Sequence, residues 1–150
     1  MRVVIQRTEH AYVKIKNNII CSIGEGMLIL MAVEDSDTQE DIDWLVKKII
    51  ALRIFDDKNN VMNMDIRQNG GDILVVSQFT LFASTKKGNR PSYIRSSKPD
   101  FAKPMYEKFV SCLQKSFGKQ VFTGHFGADM EVGIVNDGPV TIIIDTKIKE

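Results

Sequence analysis

Ile73-Leu74-Val75-Val76-Ser77-Gln78-Phe79-Thr80-Leu81-Phe82-Ala83 is the densest apolar run in the chain, and it follows the turn signal Gly70-Gly71. Four consecutive aliphatic residues, Ile73 to Val76, read as a strand buried on both faces, which belongs in the middle of a sheet. Ser77, Gln78 and Thr80 then set three polar side chains at or beyond its end, where a buried strand must surface. Ends of central strands are a common location for the chemistry of sheet proteins. The alternative is that residues 77–80 continue the strand with one polar face.

Working back toward the amino terminus, residues 2–7 and 11–15 read as two strands, the second alternating Ala11, Val13, Ile15 against Tyr12, Lys14, Lys16. Asn17-Asn18 is a hairpin signal, because Asn tolerates positive φ. Residues 19–23 are then the returning strand, and the apolar block 27–33 is another strand after Gly24-Glu25-Gly26. Ile42, Leu45, Val46, Ile49 and Leu52 recur at helical spacing, so a helix is predicted over 38–53, with Ser36 or Asp37 as cap and Gln39 or Glu40 reciprocating. The six acids Glu34, Asp35, Asp37, Glu40, Asp41 and Asp43 suit the positive end of that helix dipole better than a metal site. Trp44 falls on or beside the apolar stripe.

Residues 56–60 form a surface turn, and 61–66 are too irregular to assign. Beyond the central run, residues 85–92 combine Gly and Pro with Lys86, Lys87 and Arg90 in a strongly cationic loop. Such a loop either solubilises the surface or contacts phosphates. A second helix is predicted over 100–117 with Gly118 as its stop, and Pro104 is compatible with it only in the first turn. Strands at 121–126, 131–135 and 140–144 and a polar tail at 145–150 complete the chain.

The 150 residues suit a single domain spanning 1–150, with composition sufficient for a core without staples. No apolar stretch approaches the length of a bilayer span and residues 1–7 lack a signal pattern, so a cytoplasmic protein without a membrane partner is expected. Cys21 and Cys112 are far apart and read as thiols. Net charge is only +1, so no DNA partner is announced. Yet Lys86, Lys87, Arg90, Arg95, Lys98 and Lys103 gather in one stretch, and local fields decide where a phosphate docks.

Conventional catalytic sets are missing. His10 and His125 stand without a motif around them, and metalloprotease, nucleophile-elbow and P-loop patterns are all lacking. What remains is Asn136-Asp137-Gly138-Pro139-Val140-Thr141 between two predicted strands. It is a turn on any reading; a cis Gly-Pro bond would in addition hold two carbonyls in a rigid array able to grip an ammonium group.

Together, Ser77-Gln78-Phe79-Thr80-Leu81 and Asn136-Asp137-Gly138-Pro139-Val140-Thr141 resemble the paired motifs of the D-aminoacyl-tRNA deacylases. Gln6-Arg7, Leu52-Arg53-Ile54-Phe55, Lys87-Gly88-Asn89-Arg90-Pro91 and residues 124–130 occur in the order and spacing of that family. The resemblance implies an α/β fold of mixed, largely antiparallel sheets in a barrel-like core with two main helices, working as a homodimer on aminoacyl-tRNA without cofactor or metal. It implies hydrolysis of the ester of D-aminoacyl-tRNA, extending to glycyl-tRNA, with L-aminoacyl-tRNA rejected. The site would comprise Ser77, Gln78, Phe79 and Thr80, entered by a cis Gly138-Pro139 dipeptide from the partner subunit. The ribose 2′-OH would assist hydrolysis, with backbone amides near Phe79 and Thr80 stabilising the oxyanion. Phe126 and Met130 would line a terminal adenosine pocket, Arg7 would brace the dipeptide loop, and Lys86, Lys87 and Arg90 would meet tRNA phosphates. The competing reading is a non-catalytic tRNA- or RNA-binding module.

Overall fold

A computed structural model describes residues 1–149. The apolar block at 73–76 forms a strand, β6 (Asp72–Ser77), lying parallel between β3 (Gly26–Ala32) and β7 (Val121–Thr123). Alternation along β6 sends Ile73 and Val75 into one apolar cluster and Leu74 and Val76 into another, so the strand is buried on both faces as its composition requires. The strand ends at Ser77, and residues Phe79–Phe82 wind into a 3-10 turn.

The amino-terminal half of the sheet departs from expectation in one respect. Residues 2–7 and 11–15 are parts of a single strand, β1 (Arg2–Ile15). The polar residues between them do not turn the chain. Thr8 is buried and donates from Oγ to the Gly24 carbonyl at 3.2 Å, and register shifts on either side absorb the irregularity. One edge of β1 pairs with β3 over residues 2–8 and then with β2 (Asn18–Ile23) over residues 11–15. Lys16 and Asn17, both at positive φ, make the hairpin turn between β1 and β2. The other edge of β1 carries the last strand, β8 (Glu131–Asp145), along nearly its whole length. The sheet curls until β2 lies beside β7, where Cys21 Sγ donates to the Thr123 carbonyl at 3.4 Å. The result is a mixed, barrel-like sheet, antiparallel around β1 and parallel around β6.

Two main helices cover the face bearing Ile73 and Val75. α1 (Gln39–Ala51) buries Ile42, Leu45, Val46 and Ile49, each worth about 1.5–3 kcal/mol of burial. Its cap is Thr38, reciprocated by Asp41, and neither Ser36 nor Asp37. Asp37 is instead committed to the amino-terminal ammonium of Met1, and Asp41 also receives Lys147 at 2.8 Å. Glu34, Asp37 and Asp41 of the acidic stretch are thus engaged in the cap and in ion pairs. Trp44 is half-buried against the core, beneath the ammonium groups of Lys48 and Lys149.

The short hairpin β4 (Phe55–Asp56) and β5 (Met62–Met64) and the single-turn helix α2 (Ile66–Asn69) give structure to the unassigned stretch around 61–66. α3 (Pro99–Phe117) buries Tyr106, Phe109, Leu113 and Phe117 and stops at Gly118, whose φ of 77° is left-handed. Pro104 lies beyond the first turn of α3, against expectation. It deprives the Asp100 carbonyl of its helical donor, and exposure of Asp100 lets water replace it. The expected polar tail also proves different. Asp145 and Thr146 are only 7% and 3% exposed, and Asp145 pairs with Arg2 at 2.8 Å. Glu150, the end of that tail, lies outside the described residues. Among the described residues no helix is long and apolar enough to cross a membrane.

Candidate active site

The end of β6 is built as a sharp exit from the sheet. Gln78 N donates to the Met31 carbonyl at 2.7 Å, and the backbone then tightens with Leu81 N donating to the Gln78 carbonyl at 3.2 Å. Since that is the first bond of the 3-10 turn, the amides of Phe79 and Thr80 lie ahead of its ladder and are free of it. Gln78 Nε2 donates to Thr80 Oγ in a short contact. Phe79 is 56% exposed, and its ring meets Tyr93 edge-on at 5.2 Å between centroids. Ser96 Oγ donates to the Phe79 carbonyl at 2.6 Å, clamping the turn from the opposite loop.

This turn borders a cleft of about 580 Å³, within the range of small-ligand sites. Ser77, Gln78, Phe79 and Tyr93 line it, as do Ala102, Tyr106, Phe126 and Met130. Tyr106 donates its hydroxyl to the Val75 carbonyl at 2.9 Å, and burial pushes its pKa well above the ordinary phenol value. Tyr106 is therefore a wall and not a proton donor at neutral pH. His10 and His125 are exposed and neither lines the cleft. The hydroxyl of Thr80 meets a neutral amide, which cannot take its proton as a general base would. Among the described residues no group of three or more His, Cys, Asp or Glu could hold a metal ion.

The second motif sits elsewhere. Thr8 pairs with Asn136 and Gln6 with Thr141, so β1 advances two residues while β8 advances five. The excess is extruded as a bulge within one continuous strand, where two strands joined by a turn had been expected. Asn136 pins its base, donating from Nδ2 to the carbonyls of Arg7 at 2.8 Å and Val140 at 3.2 Å. At the tip the Gly138-Pro139 peptide bond is cis, and both residues are exposed. Arg7, only 6% exposed, stands behind the tip: Nη1 donates to the Ile54 carbonyl at 2.7 Å and Nε lies 2.7 Å from Asp137 Oδ2. A Cβ on Gly138 would come within 3.0 Å of Arg7 Nη2 and 2.9 Å of Val140 Cγ2, and its φ of +108° is one that only glycine adopts readily.

Ser77, Gln78, Phe79, Phe126 and Met130 therefore share one cleft, with Thr80 joined to it through Gln78. Gly138, Pro139 and Arg7 form a separate group. Gln6 is level with Leu28 of β3, whereas Ser77 is level with Met31, and β8 is three strands away from β6. Strand geometry converts this to about 10 Å along the strands and about 14 Å across them. Lys86, Lys87 and Arg90 are exposed on the loop closed by the Ser84–Ser92 bridge, and none forms an ion pair among the described residues. Sequence reasoning missed Tyr93, Ser96 and Ser97. Their only local signal was a Ser-Ser pair just ahead of the Pro99 helix start.

Residues 4–145 match the family described as D-Tyr-tRNA(Tyr) deacylase. A curated relative from Bacteroides thetaiotaomicron, named D-aminoacyl-tRNA deacylase, is 61% identical over 150 residues, covering 100% of both chains. A solved structure named c-Myc DNA Unwinding Element Binding Protein superposes with a TM-score of 0.92 at 35% identity, over 97% of this chain and 98% of that one. Another, of a probable eukaryotic D-amino acid tRNA deacylase, has a TM-score of 0.82 at 18% identity over 95% and 97% of the two chains, a likeness of fold. With a family match over nearly its whole length and a full-length relative at this identity, the chain belongs to the D-aminoacyl-tRNA deacylases, a family of hydrolases.

Proposed function

We propose that the protein hydrolyses the ester bond of D-aminoacyl-tRNA in the cytoplasm, releasing the D-amino acid and free tRNA, and that it acts as a homodimer. Glycyl-tRNA, which offers no side chain to reject, is a further substrate. The observation that carries the reading is the pairing of a cleft bordered by unspent backbone amides with a separate, protruding Gly138-Pro139 tip. In this scheme the ester carbonyl lies against the amides of Phe79 and Thr80, which stabilise the oxyanion as it develops. The 2′-OH of the terminal ribose assists the attack, and Thr80 contributes to the pocket without forming an acyl intermediate. The amide partner of its hydroxyl supports that assignment.

Selectivity is assigned to the carbonyls of Gly138 and Pro139, which bind the α-amino group and leave no room for an L side chain. The register offset between the tip and Ser77 argues that each tip serves the cleft of a second subunit. Arg7, through Asp137, braces the tip. Phe126 and Met130 line the adenosine pocket, and Lys86, Lys87 and Arg90 neutralise acceptor-stem phosphates.

The name of the 35% identical solved structure, a DNA-element binding protein, favours a second reading, a non-catalytic nucleic-acid-binding module. Incubating catalytic amounts of protein with D-tyrosyl-tRNA and L-tyrosyl-tRNA separates the two. Rapid loss of the D ester with the L ester spared is expected. Salt-dependent binding without release of either amino acid would replace the deacylase with the binding module, and loss of both esters would remove the chiral role of Gly138-Pro139.

A further inference from the structure

Ser97 is 8% exposed and lines the cleft, yet its Oγ is buried without a hydrogen-bond partner among the described residues. A buried hydroxyl in that state weakens the free fold, and such groups call for an explanation. Its position is fixed by the backbone: Ser97 N donates to the Val33 carbonyl at 2.9 Å, and α3 starts two residues later. The buried and half-buried wall of the cleft includes Val33, Ala102, Tyr106, Phe126 and Met130, whereas its charged lining residues Lys98 and Asp129 are exposed. The Tyr106 and Phe126 rings meet at 5.7 Å, and the Tyr106 hydroxyl is already committed to Val75.

The chemistry of this wall selects its occupant. A phosphate or ammonium group would lose its hydration there without a buried counter-charge. A neutral planar heterocycle keeps its faces on the apolar residues and offers ring nitrogens or an exocyclic amine at its edge. A serine hydroxyl both donates and accepts, so it matches either. We propose that Ser97 is a specificity-determining residue whose Oγ hydrogen-bonds the polar edge of the terminal nucleobase of the substrate. The inference rests on the reading of the cleft as the seat of the tRNA terminus.

The test compares wild type with Ser97→Ala on D-tyrosyl-tRNA ending in adenosine, purine riboside, or 1-, 3- or 7-deazaadenosine. Each altered end removes one edge group. Ser97→Ala should lower kcat/KM on the adenosine end by about 3- to 10-fold, the scale of one neutral hydrogen bond, chiefly through KM. One altered end should cost wild type the same factor and cost Ser97→Ala nothing more. The free Ser97→Ala protein should melt at or above the wild-type temperature, since an unpartnered buried hydroxyl has been removed. Wild-type-like kinetics of Ser97→Ala, an equal loss on every end, or a lowered Tm would overturn the assignment. Wild-type protein that leaves D-tyrosyl-tRNA intact removes the deacylase reading and this inference with it, whereas active wild type with an indistinguishable Ser97→Ala removes this inference alone.

Discussion

The Ser77-to-Thr80 turn and the Gly138-Pro139 bulge are both interruptions of strands, but they are built in opposite ways. The first is the natural end of a strand buried on both faces. It is concave, held by its own chain through Met31, Gln78 and Ser96, and borders the cleft. The second interrupts an edge strand that continues beyond it. It is convex and exposed, and its rigidity comes from Asn136 and Arg7 behind it. A concave turn with unspent amides suits stabilisation of charge, and a rigid projection suits exclusion of shape. On the proposed function, reaction and selectivity then fall to separate parts of the fold.

Removing one element at a time sharpens that contrast. Phe79→Pro should have the largest effect, a loss of about 10²- to 10³-fold in kcat on D-tyrosyl-tRNA, as for deletion of an oxyanion donor. Gln78 at φ −145° and ψ 80° is outside the helical region that a following proline disfavours, and Phe79 is the first residue of the turn, where proline is tolerated best. Full activity in the folded variant would mean that the amide and ring of Phe79 are dispensable. Gly138→Ala comes next, with about a 10²-fold loss in kcat/KM, since its Cβ displaces the tip from Arg7 and Val140. Kinetics equal to wild type would remove the dipeptide from the mechanism. Thr80→Ala should cost less than about 10-fold if, as proposed, the substrate's own hydroxyl carries the chemistry; abolished activity would make Thr80 the nucleophile.

How far the sequence announces these two regions follows from their construction. A strand buried on both faces needs an unbroken aliphatic run, so Ile73 to Val76 were legible, as were the apolar stripes of α1 and α3. The continuity of β1 and β8 was not, because Thr8, Glu9 and His10, and likewise Asn136 to Pro139, look like turn residues when the neighbouring strand that carries them through is unknown. The cap of α1 was ambiguous among adjacent polar residues until the Met1 ammonium claimed Asp37. Ser96 and Ser97 showed only as a polar pair ahead of a helix start, since their partners Phe79 and Val33 lie far off in sequence.

The smallest expected effect is on stability alone and should leave both regions in step. Burial acts to raise the pKa values of Asp41 and Asp145. Hydrogen bonds outweigh it, from Lys147, Thr146 and Thr38 to Asp41 and from the Lys147 amide and Arg2 to Asp145. Both carboxyls therefore titrate below the ordinary 3.8, so their contribution is full above that pH and is lost as pH falls through the lower folded-state values. Asp37, which burial pushes upward, acts in the opposite direction. Thermal melts between pH 5 and about 2 should show Tm falling with pH, and Asp145→Asn should flatten the decline. A decline of the same slope in Asp145→Asn would place the acid sensitivity elsewhere.

The central claim, that one subunit's turn works with the other's Gly138-Pro139 tip, is tested most directly by complementation. Phe79→Pro and Gly138→Ala proteins, each nearly inactive, would be unfolded together, refolded as a mixture and assayed on D-tyrosyl-tRNA. Hybrid dimers contain one cleft with an intact turn and an intact tip, so activity should return well above that of either variant refolded alone. A mixture no more active than its components, with hybrids demonstrably formed, would contradict the shared site and return both motifs to a single chain.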